Sequence, residues 1–443
     1  MKVLKFGGTS MANAAAIDNV KNIVKADKAN RFVVVSAPGK RESADIKVTD
    51  LLYAAFDEKQ KTGMCDAAFT KVEKRFNDII ADLNIKLDLS ADFIAIKKAV
   101  NDGADADYTA SRGEYLSAKV CAAYFNMDFI DASDLIVFDE QGKFMPEPTN
   151  EKAKKRLAQS KGAVIPGFYG AMPNGTIKTF SRGGSDVTGS IIARAVTATV
   201  YENWTDVDGF MTCDPRIVSS ACIIDMLTYK ELRELSYMGA SVLHSDCIFP
   251  VRKNDIPIHI RNTFNPSCKG TYIVPTKKFL SGDFKRVERT VTGIAGKKCF
   301  AAVYIEKSMM HDELGFARKV LSVLERHKIS MEQMPSGIDT VTVLFDASNV
   351  SQVTLDAVMA DIKTDCAPDN LQLVTDIALI AVVGHGMSRK KGTAAKLCSA
   401  LSKANINIRL IDQGSSELNI IVGVESTDFE IAIKALHDEF KDD

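Results

Sequence analysis

The chain has 443 residues, 46% hydrophobic and 26% charged, with 56 Lys and Arg against 57 Asp and Glu. That length carries two or three domains with a large core, and a formal net charge of −1 excludes the broad basic field that nucleic-acid binding needs. No apolar run reaches the ~18 residues of a membrane-spanning helix, and "MKVLKF" gives way to glycines and polar residues too early for a secretory leader. Nine scattered cysteines, odd in number and without a CxxC pair, point to reduced thiols in a cytoplasm rather than to disulfides or a zinc site. Most read as small core residues.

In chain order, strand-like runs alternate with helical patterns over the first 280 or so residues. "KVLKF" leads to a helix ending near Lys25, "RFVVVSA" to a helix from Thr49, and "AVIPGF", "TATVYENW" and "IPIHIRN" follow. This alternation predicts an α/β layer with a largely parallel sheet. The polar stretch "TKKFLSGDFKRVERT", Thr276 to Thr290, reads as a linker. Beyond it lies a repeat. "GFARKVLSVLERHKISMEQMPSG" from Gly315 aligns without a gap with "GTAAKLCSALSKANINIRLIDQG" from Gly392, pairing Gly315 with Gly392, Leu324 with Leu401 and Gly337 with Gly414. Each copy opens on an apolar strand, has an amphipathic helix and two further strands, and then a second helix. Two ferredoxin-like β-α-β-β-α-β modules are expected. The resulting boundaries are 1–280 for the α/β domain, 281–298 for the linker, and 299–375 and 376–443 for the two modules.

Within the α/β part, two glycine pairs carry the chemistry. In "KFGGTS" a strand delivers the chain to Gly7 and Gly8, with Lys5 beside them and Ser10 placed to cap a helix whose apolar face holds Ala16, Ile17, Val20 and Val24. Paired glycines let the backbone approach a ligand with its amides forward. The lysine precedes the glycines, so this is not a Walker A loop, and there is no GxGxxG dinucleotide fingerprint. "TFSRGGSDVTGS" repeats the theme: a short strand, Arg182 able to grip a carboxylate or phosphate, Gly183-Gly184, and Ser185 or Asp186 as helix cap. Either loop alone reads more readily as a turn. Two in one α/β domain, each with an adjacent cation, favour anion binding.

Three further stretches keep two readings each. "NWTDVDGFMTCDPR" puts Thr205, Asp206 and Arg216 in a loop after a strand, where α/β sheets bind ligands, and is also rich in ordinary turn dipeptides. Glu114 in "ASRGEYLSAKV" can bind an ammonium group, or favour a helix dipole from a first turn. Ser36 and Thr49, in "VVVSAPGKRESADIKVTDLL", can contact substrate, while capping alone accounts for Thr49.

Taken together, "KFGGTS", "SRGEYLSA", "TFSRGGSD", "WTDVDGFMTCDPR", "VLHSD" and "IHIRNTFNP" resemble the aspartate kinases, in order and over essentially the whole chain, and the paired modules resemble ACT regulatory domains. The resemblance implies the three-layer amino-acid kinase fold and ATP- and Mg²⁺-dependent phosphorylation of the L-aspartate side chain to 4-phospho-L-aspartate, the entry to lysine, threonine and methionine synthesis. It implies Lys5 at the transferring phosphoryl group with Gly7 and Gly8 at the phosphates, and Asp186 positioning Lys5. Arg182 falls on the substrate α-carboxylate, with Gly183 and Ser185 adjoining, and Glu114 on its ammonium. Ser36 and Thr49 line the aspartate site, and Thr205, Asp206 and Arg216 hold the nucleotide. It further implies an amino-acid effector at the ACT modules, with Gly315, Phe316, Ala317, Ser330 and Glu332 as contacts. Glu332 suits lysine, and threonine remains an alternative. A homodimer or homotetramer through the modules, and no homoserine dehydrogenase after Asp443, are also expected.

Three departures stand out. Relatives often carry a nucleotide-binding lysine where Ser241 stands and a proline where Ser245 stands, and Met211 replaces a frequent aromatic residue. The rival readings are another amino-acid kinase, acting on glutamate, a nucleotide or carbamate, and a non-catalytic amino-acid sensor. The tandem modules and "FSRGGSD" oppose the first. The joint presence of Lys5, Arg182 and Asp186 opposes the second.

Overall fold

A computed structural model describes the chain except for Arg182, Ser241, His244, residues 285–288 and Asp443. It separates into two compact units, Met1–Phe210 with Ile223–Leu232 and Val242–Arg286, and Met211–Cys222 with Arg233–Ser241 and Val287–Asp443.

The first unit is built on strands β1 (Lys2–Phe6), β2 (Asn30–Val35), β3 (Asp128–Phe129), β4 (Ala163–Pro166), β5 (Tyr169–Ala171), β6 (Ile177–Thr179), β7 (Val200–Thr205), β8 (Met226–Thr228), β9 (Ile258–Asn262) and β10 (Thr271–Val274). Its helices are α1 (Ala14–Ala26), α2 (Val48–Thr62), α3 (Asp66–Asp82), α4 (Ser90–Asn101), α5 (Ala106–Phe125), α6 (Pro146–Leu157), α7 (Gly184–Ala195), the start of α8 (Tyr229–Tyr237), α9 (Ile248–Arg252) and α10 (Thr276–Leu280). Eight strands form one sheet in the order β3-β4-β2-β1-β7-β9-β10-β8. Every neighbouring pair is parallel except β9 with β10. β5 and β6 make a separate hairpin. In the parallel register Phe6 lies level with Val35 and Trp204, and Val35 with Pro166, so the loops after β1, β2, β4 and β7 leave one edge of the sheet together.

Strand alternation assigns side chains to layers. Leu4, Phe6, Val33, Val35 and Trp204 face a core built with α1 to α5. Lys5, Tyr201 and Asn203 occupy the alternate positions, on the side where α7 packs. Helix α7 lies close to β7, because a side chain on Gly189 would collide with the Tyr201 hydroxyl at 2.5 Å.

The second unit contains β11 (Gly293–Glu306), α11 (Phe316–Arg326), β12 (Met331–Gln333), β13 (Thr340–Asp346), α12 (Gln352–Cys366), β14 (Asn370–Val383), α13 (Thr393–Lys403), β15 (Leu410–Asp412), β16 (Asn419–Glu425) and α14 (Phe429–Phe440). One six-stranded antiparallel sheet runs β12-β13-β11-β14-β16-β15. The two long strands serve both repeats. Residues 300–306 of β11 pair with 370–377 of β14 in the first module, and 293–297 pair with 379–383 in the second. Each half has its own core, one around Val303, Val320 and Val343, the other around Ile380, Leu397 and Ile420.

The expected boundaries therefore change. The linker does not extend to 298, because Gly293–Lys297 supplies the closing strand of the second module, which makes the first module an insertion within it. Nor is 1–280 one uninterrupted domain. Residues 211–222 and 233–241 count with the second unit, where Ile294 N–H donates to the Thr212 carbonyl and Cys213 and Val218 join the core. Among the described residues no helix is long and apolar enough to cross a membrane.

Candidate active site

The two glycine loops meet. Lys5 Nζ lies 2.6 Å from Asp186 Oδ1, both largely buried, which joins the end of β1 to the first turn of α7. Lys5 and Asn203 are direct partners across β1 and β7, and Asn203 Nδ2 donates to the same Asp186 oxygen at 2.8 Å. Strand register thus places a cation and an amide side by side beneath one carboxylate. Tyr201 Oη donates to the Asp186 carbonyl at 3.0 Å. Asn203 was not anticipated. The available signal was a polar residue at a buried, α7-facing position of an otherwise apolar strand.

Sequence-based capping fails at both loops, for instructive reasons. Ser10 caps nothing. It is buried, and its hydroxyl shares a 2.8 Å hydrogen bond with that of Thr263, while Asn13 caps α1 by accepting from Ala16 N–H. At α7 the N-cap is Gly183, left-handed at φ 57°, with no side-chain cap, because Asp186 is engaged by Lys5 and Asn203. The first amides of α7 accordingly have no acceptor among the described residues, as at any uncapped helix start. On the other loop Gly7 N–H is taken by the Trp204 carbonyl, so Gly8 rather than Gly7 has an amide without an acceptor among the described residues.

Gly8 is shaped by a neighbour that the sequence reading passed over. Gly39, in the loop after β2, donates its N–H to the Gly8 carbonyl at 2.8 Å. A side chain there would sit 2.7 Å from Gly8 backbone carbon. Backbone cannot yield as a flexible side chain does, so Gly39→Ala is expected to displace the Gly8 turn. The expected cost is ~1–3 kcal/mol of stability with a parallel loss of kcat/KM; wild-type melting and turnover in this variant would contradict the packing. The same loop is anchored by Arg75, which donates to the Gly39 carbonyl and to Asp45, both at 2.6 Å. The Asp45 carboxyl is held well below its usual range, chiefly by its hydrogen bond with Arg41.

This anchored loop carries Ser36, half-buried after β2, whose N–H donates to the Phe6 carbonyl. Thr49 is the second residue of α2 rather than its cap, which is Lys47. Glu114 is likewise not in a first turn. Helix α5 starts at Ala106, capped by Asp105, so Glu114 sits mid-helix and is 5% exposed. Burial pushes its carboxyl pKa up to about 8, against smaller opposing contributions from backbone hydrogen bonds at Ala37 and Glu114 and from Arg112. One oxygen, Oε2, has no hydrogen-bond partner among the described residues. A dipole role does not explain a buried, half-satisfied carboxyl. Such a carboxyl has room for one further donor or cation.

Ser185 is buried, packed against Gly167 at the end of β4. Thr205 ends β7, and its hydroxyl donates to Asp206 at 3.2 Å. Asp208 accepts from Asn262 and Asn265, tying this loop to the one after β9. Arg216 counts with the second unit, where its exposed guanidinium pairs with Asp214 at 2.7 Å. Arg182 and Ser241 lie outside the described residues.

Of the effector candidates, Gly315 is the left-handed N-cap of α11 (φ 81°), matched by Gly392 of α13 (φ 86°). Phe316 is 4% exposed within the first module's core, so its side chain is a packing element and only its backbone is available. Ala317 and Ser330 are exposed. Glu332, on β12, accepts a 2.5 Å hydrogen bond from Tyr237.

A parallel sheet whose strand ends gather two glycine loops, a lysine–aspartate pair and an uncapped helix, in a chain that also folds two ACT-type modules, defines a regulated amino-acid kinase. The amino acid kinase family matches residues 1–262, and an ACT domain matches residues 380–440. The chain is similar to Aspartokinase 3 of Bacillus subtilis, at 37% identity over 99% of this chain and 98% of that one. Its fold matches the aspartate kinase of Clostridium acetobutylicum with a TM-score of 0.93 and 46% identity, covering 99% of this chain and 100% of the other. It also matches E. coli aspartokinase III, solved with aspartate and ADP, with a TM-score of 0.76 and 23% identity over the full length of both. The chain belongs to the aspartate kinase family, and its activity is that of an aspartate kinase.

Proposed function

We propose that the enzyme transfers the γ-phosphoryl group of ATP to the side-chain carboxylate of L-aspartate, releasing 4-phospho-L-aspartate and ADP, and that lysine bound at the ACT modules inhibits it. The observation that carries the catalytic reading is the Lys5–Asp186 contact, which unites both glycine loops. The nucleophile has a reference pKa of about 3.9 and is already ionised near neutrality, so no general base is required. What the reaction needs is placement and positive potential around a phosphoryl group passing between two anions. Lys5 Nζ, the Gly8 amide and the first amides of α7 provide that potential, and Asp186 and Asn203 hold the lysine in place. Each such preorganised donor is worth ~3–4 kcal/mol at the transition state. Glu114 receives the substrate ammonium, Arg182 its α-carboxylate, and Ser36, Thr49, Gly183 and Ser185 line the cleft. Thr205 and Asp206 adjoin the nucleotide.

Among the described residues no cluster of three or more metal-ligating side chains exists. Mg²⁺ would be held by phosphate oxygens with one or two carboxylates such as Asp206, and would neutralise phosphate charge. Nine free thiols fit a reducing cytoplasm. Dimers or tetramers through the ACT modules fit the exposed Met331 on edge strand β12 and the exposed Met309, Leu314 and Ile338.

Trapping with hydroxylamine tests the substrate assignment. Incubation with ATP, Mg²⁺ and a panel of amino acids is expected to yield a hydroxamate with aspartate, and yield with glutamate alone would overturn the assignment. For the effector, Glu332 is the acceptor suited to a cationic side chain, and in this structure Tyr237 occupies it. Tyr237→Phe removes that competitor. It is expected to lower the half-inhibitory lysine concentration about fivefold, one hydrogen bond of ~1 kcal/mol at a part-exposed site. An unchanged or higher value would remove Glu332 from the lysine site.

A further inference from the structure

The first unit also holds a cavity whose lining includes none of the side chains that the Lys5–Asp186 pair brings together. About 580 Å³ in volume, it opens between α6, α7 and α9. That is within the 300–1,000 Å³ range of small-molecule sites. On α7 it is lined by Val187, Ile191 and Arg194, which share one helical face; Asp186, one residue from Val187, turns instead to Lys5. Phe144 and Phe180 line one wall and form an aromatic cluster with Phe138, with centroids 5.1 to 6.1 Å apart. Pro250 and the half-exposed Phe249 belong to α9.

The polar lining is unequal in charge. Arg194, Arg252 and Lys253 contribute three cations against one carboxylate, Asp246. Arg194 and Lys253 both engage Glu147, at 2.7 Å for the arginine, so one acid serves two cations. Arg194 is only about one-tenth exposed, and its Nε has no hydrogen-bond partner among the described residues. Arg252 is exposed and forms no ion pair with a described residue. A large apolar cavity with a surplus of cations at its polar side selects a ligand with a bulky apolar body and one negative charge.

We propose that this cavity binds a small carboxylate with an aromatic or bulky aliphatic body, its ring among Phe144, Phe180, Ile191 and Phe249 and its carboxylate at the Arg194–Arg252–Lys253 side. The lining includes none of Lys5, Gly8, Glu114 or Asp186, so the proposal does not rest on the kinase reading.

Three isosteric probes test it by calorimetric titration into the full chain with ADP and aspartate saturating: 4-phenylbutanoate, 4-phenylbutanamide and 4-phenylbutylammonium. The acid is expected to bind about tenfold more tightly than the amide, the difference made by a charge-assisted contact, and the ammonium more weakly still. Combined Arg252→Ala and Lys253→Ala substitution should bring the acid down to the amide while leaving the amide unchanged. Ile191→Trp, which fills the cavity, should abolish binding of both. Should that variant misfold, Phe249→Ala, at a half-exposed position, should weaken both. Absence of acid binding at millimolar concentration, equal binding of the ammonium, or displacement of the acid by ADP or aspartate would each overturn the proposal. So would a Phe249→Ala variant that changes only oligomeric state, which would mark this face as a contact between copies of the chain.

Discussion

Lys5→Ala is expected to lower kcat/KM at least 10³-fold while leaving the far-ultraviolet circular dichroism spectrum unchanged. The loss corresponds to roughly 4 kcal/mol of transition-state stabilisation, the scale of one preorganised donor at a developing charge. Lys5 sits at the end of β1 with Phe6 and Leu4 supplying the packing on the other face, so its removal does not open the apolar core. Asp186 retains Asn203 but loses its cation, so a modest fall in melting temperature accompanies the lost turnover. Lys5→Arg distinguishes charge from geometry. The guanidinium keeps the charge, but its planar fork cannot reproduce a compact ammonium sharing one oxygen with Asn203, and activity should remain low. Near-wild-type turnover in Lys5→Ala would remove Lys5 from the reaction.

Glu114→Gln is expected to raise KM for aspartate about 100-fold, ~3 kcal/mol for a buried charge-assisted contact, with a smaller effect on kcat. It also changes two pH dependences. Burial lifts the Glu114 pKa to about 8 from an ordinary 4.5. Between those values the folded, ligand-free protein holds a proton that the unfolded chain has released, so this group's contribution to stability is complete below pH 4.5 and is lost as pH rises through 8. Glutamine abolishes that loss, so the stability of the variant should be flatter across the window. Aspartate binding in the wild type must displace the proton, because only the carboxylate pairs with an ammonium. Affinity should therefore increase nearly tenfold per pH unit from about 6 to 7.5 and level off above 8. Titrations in buffers of different ionisation enthalpy should report close to one proton released at pH 7. A pH-independent affinity with no proton release would place the substrate ammonium elsewhere.

The parts of this molecule that were legible in sequence are those written in local spacing. Both glycine loops, the alternation of strands and helices, and the repeat whose paired glycines cap α11 and α13 at nearly the same φ all appear in short continuous stretches. Features set by distant pairing did not. That Lys5 and Asn203 are strand partners depends on a register between positions far apart in the chain. That Gly39 abuts Gly8 depends on how one loop is folded against another. The closing strand of the second module lies before the first module begins, so no reading of the repeat in order could supply it. Glu114 illustrates a subtler limit. Its neighbour Gly113 suggests a helix start, yet the glycine is there because a side chain would strike Ala37 at 2.8 Å, and the helix has already run two turns. Arg216 shows the converse: a motif continuous in sequence was divided between two units.

The most direct measurement is a crystal structure of the enzyme with ADP, Mg²⁺, aluminium fluoride and aspartate. The fluoride, standing for the phosphoryl group in flight, is expected within hydrogen-bonding distance of Lys5 Nζ, the Gly8 amide and the first amides of α7, with the aspartate side chain on its far side. Fluoride density out of reach of either glycine loop, with Lys5 paired only to Asp186, would contradict a single anion site built from both.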